Sequence, residues 1–171
     1  YVCLTQWNGE NVAVATNGHV LGVFKVDDNS NDFTSPVCVK LGKPPASLKR
    51  MDAVDVEPLG DGKAMLAGSH VVEIMYGGEY VDWQSVVISA FNKYRTEVEV
   101  PATYNPEYLM KFVKIGKLYG QRMPMVQVAQ RGESAALVQI GSLEGFGLIM
   151  PIKTHNMALP IWADEALNAD K

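Results

Sequence analysis

The sequence contains few cysteines and histidines and no long apolar run. Its 171 residues include two cysteines and three histidines, and they form neither a Cys-x-x-Cys pair nor a Cys/His cluster of the kind that binds zinc. Two cysteines are also too few for a disulfide framework, so we expect Cys3 and Cys38 to be reduced thiols buried in strands rather than a disulfide. No apolar stretch approaches the ~20 residues of a membrane-spanning helix. We therefore predict a cytoplasmic protein with no cofactor and no membrane partner.

Motifs for catalysis and nucleotide binding are missing as well. The Gly-Asp-Gly-Lys run at 60–63 lacks the spacing of a P-loop and lies between strand patterns. The Gly-Ser-His run at 68–70 is not followed by the glycine and helix that a nucleophile elbow requires. His19 has no second histidine or carboxylate at a spacing typical of a metal site or a catalytic triad. We predict no enzymatic activity.

Positive charge is scarce outside one segment. The net charge is −4, and residues 1–90 carry 6 basic and 11 acidic side chains, whereas residues 91–131 carry 7 basic and 3 acidic ones. A domain that binds nucleic acid tightly is usually basic as a whole. An acidic chain with one basic segment suits a partner that is contacted weakly or transiently.

Alternating apolar residues and closely spaced turns predict a chain rich in β-strands. We expect strands near 1–6, 12–16, 20–26, 36–41, 53–59, 63–67, 71–76, 97–100, 124–130, 135–140 and 145–152. Two helices are also expected. Two prolines favour a short helix over about 43–51. Asn105, Pro106 and Glu107 form a strong start for a second helix, which ends near Leu118.

The order strand, helix, three strands occurs twice in this pattern, over about 36–76 and 97–152. Internal repeats of this size usually place their sheets side by side and their helices on one face. The predicted fold class is therefore α+β, with antiparallel sheets and helices on a common face. The opening meander at 1–26 is then the tail of a third unit. Because the chain begins at Tyr1 without a Met or a leader, we expect the start of that unit upstream.

Four short motifs, in order along the chain, resemble the family of bacterial replicative sliding clamps, the beta subunit of DNA polymerase III. They are Ala-Thr-Asn-Gly-His-Val-Leu at 15–21, Gly-Gly-Glu-Tyr-Val-Asp-Trp-Gln-Ser-Val at 77–86, Tyr-Asn-Pro-Glu-Tyr-Leu-Met at 104–110 and Ile-Met-Pro at 149–151. The resemblance implies DNA-clamp-like repeats, with a clamp-like domain at 1–90, a second repeat unit at 91–153 and a C-terminal extension at 154–171. About twenty residues stand where the family has a further unit, so this is not a standard three-domain clamp.

The function that the resemblance implies is that of a processivity factor in DNA replication. A closed ring, formed by self-association into a homo-oligomer, would encircle double-stranded DNA without reading its sequence and tether a DNA polymerase or clamp-loader peptide. The alternative is a protein-binding module that modulates replication without encircling DNA. A structural protein of similar topology with no DNA contact is a third interpretation.

The resemblance also implies two sets of site residues. The peptide-binding groove would have one wall from the first motif and one from the last, namely Thr16, Gly18, His19 and Leu21 opposite Met150, Pro151 and Ile152. Met150 is equally consistent with a core position. The DNA-facing residues would be Lys111, Lys114, Lys117, Lys49 and Arg50, although lysines are also common on solvated helix faces.

Overall fold

The computed structural model of the chain describes residues 1–26, 35–41, 47, 54–76 and 80–152. These residues form ten strands and two helices. The strands are β1 (Val2–Trp7), β2 (Glu10–Thr16), β3 (Val20–Lys25), β4 (Val37–Lys40), β5 (Val56–Gly60), β6 (Lys63–Leu66), β7 (His70–Tyr76), β8 (Val126–Ala129), β9 (Ala136–Ile140) and β10 (Gly145–Ile149). The helices are α1 (Trp83–Thr96) and α2 (Pro106–Leu118).

All ten strands belong to one antiparallel sheet with the order β5-β6-β7-β4-β1-β2-β3-β10-β9-β8. The opening meander β1-β2-β3 occupies its centre. The last strand, β10, pairs with β3 along its whole length, from Gly145 opposite Phe24 to Ile149 opposite Val20. Strands from the two ends of the chain therefore lie side by side, and β5 and β8 form the two edges of the sheet.

The hairpin between β2 and β3 is built by its own side chains. Gly18 has a φ of 86°, which a residue with a Cβ rarely adopts. The side-chain oxygen of Asn17 accepts hydrogen bonds from the main-chain N–H groups of His19 and Val20, at 3.1 and 3.0 Å. The Thr16 hydroxyl donates to the carbonyl oxygen of Val20 at 2.8 Å. These local bonds fix the turn and the register of the strands that follow.

Helix α1 covers the middle of the sheet on one face. Asp82 caps it by accepting a hydrogen bond from the main-chain N–H of Ser85 at 3.1 Å, as N-cap aspartates commonly do. Trp83, Val87 and Ala90 recur at helical spacing and are buried. They pack on side chains of β1, β2, β3, β4 and β10, which form the first core cluster with them.

Helix α2 covers the opposite face. Asn105 caps it, Pro106 occupies its first turn, and Phe112 is its most deeply buried large side chain. Phe112 packs with residues of β9 and β10 in a separate core cluster. Neighbouring side chains of a strand point to opposite sides of the sheet. Leu148 belongs to the α1 cluster and Ile149 to the α2 cluster, which places the two helices on different faces.

The predicted α+β fold of repeated units with helices on one face is wrong. The structure is one ten-stranded antiparallel sheet with two short helices among the described residues, one on each face. The main cause is α1, which lies where the sequence predicted the end of a domain and a short connection. Three β-branched residues at 86–88 resemble a strand locally. Burial of every third or fourth side chain against the sheet decides in favour of the helix.

Most individual elements were predicted well. Nine of the ten strands start within two residues of their expected positions, the exception being β5, and α2 has the bounds that its start signals indicated. The strand expected at 97–100 is reduced to an isolated bridge between Glu99 and Arg131. The helix expected over 43–51 lies outside the described residues except for position 47. The division at residue 90 stays a prediction, although strands from both sides of it share the sheet.

Candidate peptide-binding groove

The two segments predicted to form a groove are neighbours in the structure. The main-chain N–H of Met150 donates to the carbonyl oxygen of His19 at 2.9 Å, which continues the β3-β10 ladder by one residue. The His19 ring stacks on Tyr108 of α2, with ring centroids 5.3 Å apart and an angle of 14° between the ring planes. The hairpin, the end of β10 and the start of α2 therefore meet at one corner of the molecule.

The predicted wall residues do not all share one cavity. Thr16 and Leu21 border an apolar groove between α2 and the sheet, but the side chain of Leu21 is buried in the α1 cluster on the other face. Pro151 and Ile152 line a separate depression of about 320 Å³ with Val100 and Gln130. Gly18 lies in the turn, and His19 and Met150 are exposed at the corner beside it.

A well-formed apolar cavity lies between α2 and the strands beside it, and we call it the α2 groove. It has a volume of about 480 Å³, within the range of about 300–1,000 Å³ typical of ligand pockets. One side is the α2 face that ends at Tyr119, and the floor is the sheet. Its lining residues are Val2, Ala13, Ala15, Thr16, Asn17, Val20, Leu21, Gly22, Phe24, Lys111, Phe112, Ile115, Leu118 and Tyr119.

Small residues keep the floor of the α2 groove open. Ala15 and Gly22 are direct partners across β2 and β3, and Ala13 is the partner of Phe24. A Cβ at Gly22 would come within 2.9 Å of the Phe24 ring, so the ring leans over the glycine. Larger side chains at these positions would fill the space that the groove occupies. The depth of the groove thus depends on two alanines and one glycine.

Close packing at two glycines holds the other side of the α2 groove in place. A Cβ at Gly147 of β10 would lie 2.2 Å from Cε1 of Phe112, so the ring rests directly on the strand backbone. A Cβ at Gly116 of α2 would lie 2.5 Å from Cβ of Pro124. The helix therefore approaches β10 and the connection that leads to β8 more closely than side chains at these positions would allow.

A buried polar contact fixes the segment that enters α2. The Tyr104 hydroxyl donates to the side-chain oxygen of Gln130 at 2.5 Å, and the Gln130 amide donates to the carbonyl oxygens of Gly132 and Ser134. Gln130 is 6% exposed. Burial raises the pKa of Tyr104 to about 12, so the phenol stays protonated and acts as a donor at neutral pH.

The solvent side of α2 is basic. Lys111, Lys114 and Lys117 are all exposed, and none of them forms an ion pair with another described residue. Lys111 also borders the α2 groove. The structure thus places the three lysines expected to face DNA on the accessible side of one helix, while Lys49 and Arg50 lie outside the described residues. Among the described residues, no acidic side chain borders the groove, so the charge that they give it is positive.

Several groove residues were not identified from the sequence. Ala13, Ala15 and Gly22 have no signature of a binding floor, because small residues in a central strand are also compatible with close packing. Ile115 and Leu118 gave a usable signal, since both extend the apolar side of α2 beyond the stripe centred on Phe112. Leu118 is 73% exposed, and an exposed leucine beside a helical core stripe suggests a further contact surface.

The rest of the described structure shows no alternative chemical centre. Within the described ranges, no three His, Cys, Asp or Glu side chains are grouped as a metal site would require. Neither α1 nor α2 is long and apolar enough to cross a membrane. The sequence matches no protein-family model and no curated protein. The likeness to sliding clamps therefore rests on the four short motifs alone.

Proposed function

We propose that the chain is a protein-binding module that holds a short apolar peptide of a partner protein in the α2 groove. The observation that carries the proposal is the groove itself, an apolar cavity with a floor of small residues and one basic side chain at its border. Sites of this shape accept a few anchor side chains and exclude water around them. This function corresponds to the alternative that the sequence left open, in which a partner is bound without encirclement of DNA.

The chemistry of the α2 groove defines the peptide that fits it. Leu and Phe side chains suit a floor of alanine, glycine and valine because their burial removes apolar surface from water on both sides. A carboxylate next to these anchors would lie near Lys111, and the lysines at 114 and 117 extend the positive potential along the helix. We expect a bound peptide with two or three apolar anchors and at least one flanking acidic residue.

Selection of a random peptide library on the immobilised chain tests this proposal without assuming a sequence. The enriched peptides should contain Leu or Phe anchors with Asp or Glu beside them. The Gln-led peptide rich in Leu and Phe that the sliding-clamp resemblance implies should compete with them. Enrichment of peptides without apolar anchors, or no enrichment above an unrelated protein, would contradict the proposal.

Two matched variants locate the site on α2. Leu118→Gln removes an apolar side chain from the α2 groove, whereas Met110→Gln makes the same kind of change on the solvent side of the helix, where Met110 is 48% exposed. The first should weaken peptide binding by roughly 5- to 30-fold, as loss of an anchor contact does, and the second should leave it unchanged. Equal effects of both variants would place the peptide elsewhere. Lys111→Glu should shift the preference away from acidic peptides.

DNA contact is a second candidate function, favoured by the three exposed lysines of α2. Phosphate contacts make affinity fall with salt, with a slope of about 0.9 per contact on a double-logarithmic plot. Changing Lys114 and Lys117 to Glu should lower this slope by about 1.8 if both contact phosphates. The control carries the same charge change at Lys63 and Arg95. Identical slopes for both variants would remove α2 from any DNA interface.

A further inference from the structure

The two edges of the sheet differ in how well they are protected from pairing with another chain. Edge strand β5 contains Pro58 and a register irregularity between Pro58 and Gly60, and it carries Glu57. Proline, charge and bulges are the features by which proteins prevent edge pairing. Edge strand β8 consists of Val126, Gln127, Val128 and Ala129. It has no proline, no charge and an unbroken register with β9.

The main-chain groups of β8 that face away from β9 can be identified. The N–H of Gly141 donates to the carbonyl oxygen of Met125 at 2.9 Å, and Gln127 is the partner of Gln139. Hydrogen-bonded and non-hydrogen-bonded pairs alternate along an antiparallel ladder. Residues 125, 127 and 129 therefore bond to β9 and its extension, while Val126 and Val128 direct their N–H and C=O groups outward. No described strand pairs with that side.

We propose that two copies of this chain associate by antiparallel pairing of their β8 strands. A two-fold axis at Gln127 would place Val126 of one copy opposite Val128 of the other, so that each outward main-chain group gains a partner. The arrangement is self-complementary on both faces. Val126 and Val128 belong to the α2 side of the sheet, where they would form an apolar pair across the axis. The two Gln127 amides would meet on the α1 side and can hydrogen-bond to each other.

Exposed apolar side chains beside β8 support a second copy as its occupant. Met125, which directly precedes the strand, is 75% exposed, and Met123, two residues earlier, is 85% exposed. In the proposed pairing, Met125 lies opposite Ala129 of the second copy, so part of its surface becomes buried. Flexible methionine side chains suit such a contact because they adapt to the surface they meet. The proposed interface is separate from the α2 groove, so peptide binding can be measured in every variant below.

The proposal is tested by sedimentation equilibrium of the 171-residue chain over a wide range of concentrations. The wild-type chain should shift reversibly from one to two copies per particle. Val128→Pro removes an outward N–H without touching the β8-β9 bonds, and its ring obstructs the edge. It should weaken dimerisation by about tenfold or more. A chain that stays monomeric at every concentration, or a dimer that Val128→Pro leaves intact, would overturn the proposal.

A charge-complementation experiment keeps the test valid if the proline variant unfolds. Gln127→Lys and Gln127→Glu each place like charges face to face at the two-fold axis and should dimerise several-fold more weakly. An equimolar mixture of the two should restore dimers that contain one copy of each. Gln139→Lys, on the same face one strand further in, is the matched control and should dimerise like wild type. If the mixture does not dimerise more strongly than either variant alone, or if Gln139→Lys weakens dimerisation as much as Gln127→Lys, the proposal is also overturned.

Discussion

The contact between Phe112 and Gly147 leads to a prediction about what holds α2 on the sheet. Gly147→Ala adds a methyl group whose carbon would lie 2.2 Å from Cε1 and 2.7 Å from Cζ of the Phe112 ring, and 3.1 Å from the carbonyl oxygen of Leu21. Carbon atoms in contact prefer separations of about 3.5–4.0 Å. The ring would have to move by more than about 1 Å, and Phe112 is only 2% exposed. We expect Gly147→Ala to lower the free energy of unfolding by about 1–3 kcal/mol, as overpacking of a core does.

The same contact can be measured from its other side. Phe112→Ala should lower the free energy of unfolding by about 3–5 kcal/mol, because it removes a buried aromatic ring and leaves a cavity. In the double variant, the new methyl group no longer meets the ring. The loss should then be smaller than the sum of the two single losses by about 1–3 kcal/mol. Gly22→Ala is a matched control, since Gly22 is the direct partner of Gly147 and the three atoms nearest to its added Cβ all belong to the Phe24 ring rather than to Phe112.

Urea unfolding followed by tryptophan fluorescence gives these free energies. Trp83 is buried and contacts Trp7 edge to face, with ring centroids 5.7 Å apart, so unfolding should change its emission. If the loss of unfolding free energy in the double variant equals the sum of the two single losses within about 0.5 kcal/mol, the coupling between Phe112 and Gly147 is refuted. If Gly147→Ala lowers the free energy of unfolding no more than Gly22→Ala does, the Phe112 ring does not rest on β10. In either case the described position of α2, and with it the α2 groove, would be wrong.

Three further predictions concern a helix cap, the thiols and acid stability. Asn105→Ala should lower the free energy of unfolding by about 1 kcal/mol, because the Asn105 side chain accepts a hydrogen bond from the N–H of Glu107 at 2.9 Å. In the same urea assay, Asn105→Asp should retain most of the stability that this cap contributes. Burial raises the pKa of the Cys3 thiol to about 12, so alkylation by iodoacetamide at pH 8 should be far slower in the folded chain than in urea, and equal rates would contradict the buried position. Hydrogen bonds from Ser85 hold the pKa of Asp82 below its ordinary value in the folded chain. The contribution of ionised Asp82 to the free energy of unfolding is therefore fully present above its unfolded pKa of about 3.9, and it is lost as the pH falls through the lower pKa of the folded chain. Asp82→Asn should therefore flatten the acid limb of stability against pH, and identical limbs would contradict this.

The parts of the fold that the sequence predicts are those determined by neighbouring residues. The hairpin at Asn17 and Gly18 and the start of α2 at Asn105 are specified by side chains that bond to the adjacent main chain. Alternation of apolar residues likewise predicts most of the strands. Strand order and the faces of the helices depend instead on contacts between distant residues, such as Ile149 with Val20. The repeat inferred from element order could not reveal them.

Helix α1 shows why the candidate site was only partly predictable. The resemblance to sliding clamps implied that Leu21 forms part of the wall of an open groove. Its exposure is decided by Trp83 and Val87, which lie more than sixty residues away along the chain and cover that face of the sheet. On the other face, α2 packs beside the meander and leaves Ala15 exposed and Ala13 partly exposed in the α2 groove. Both strand faces had similar apolar patterns in the sequence, so the packing of the helices determines which one is available for a partner.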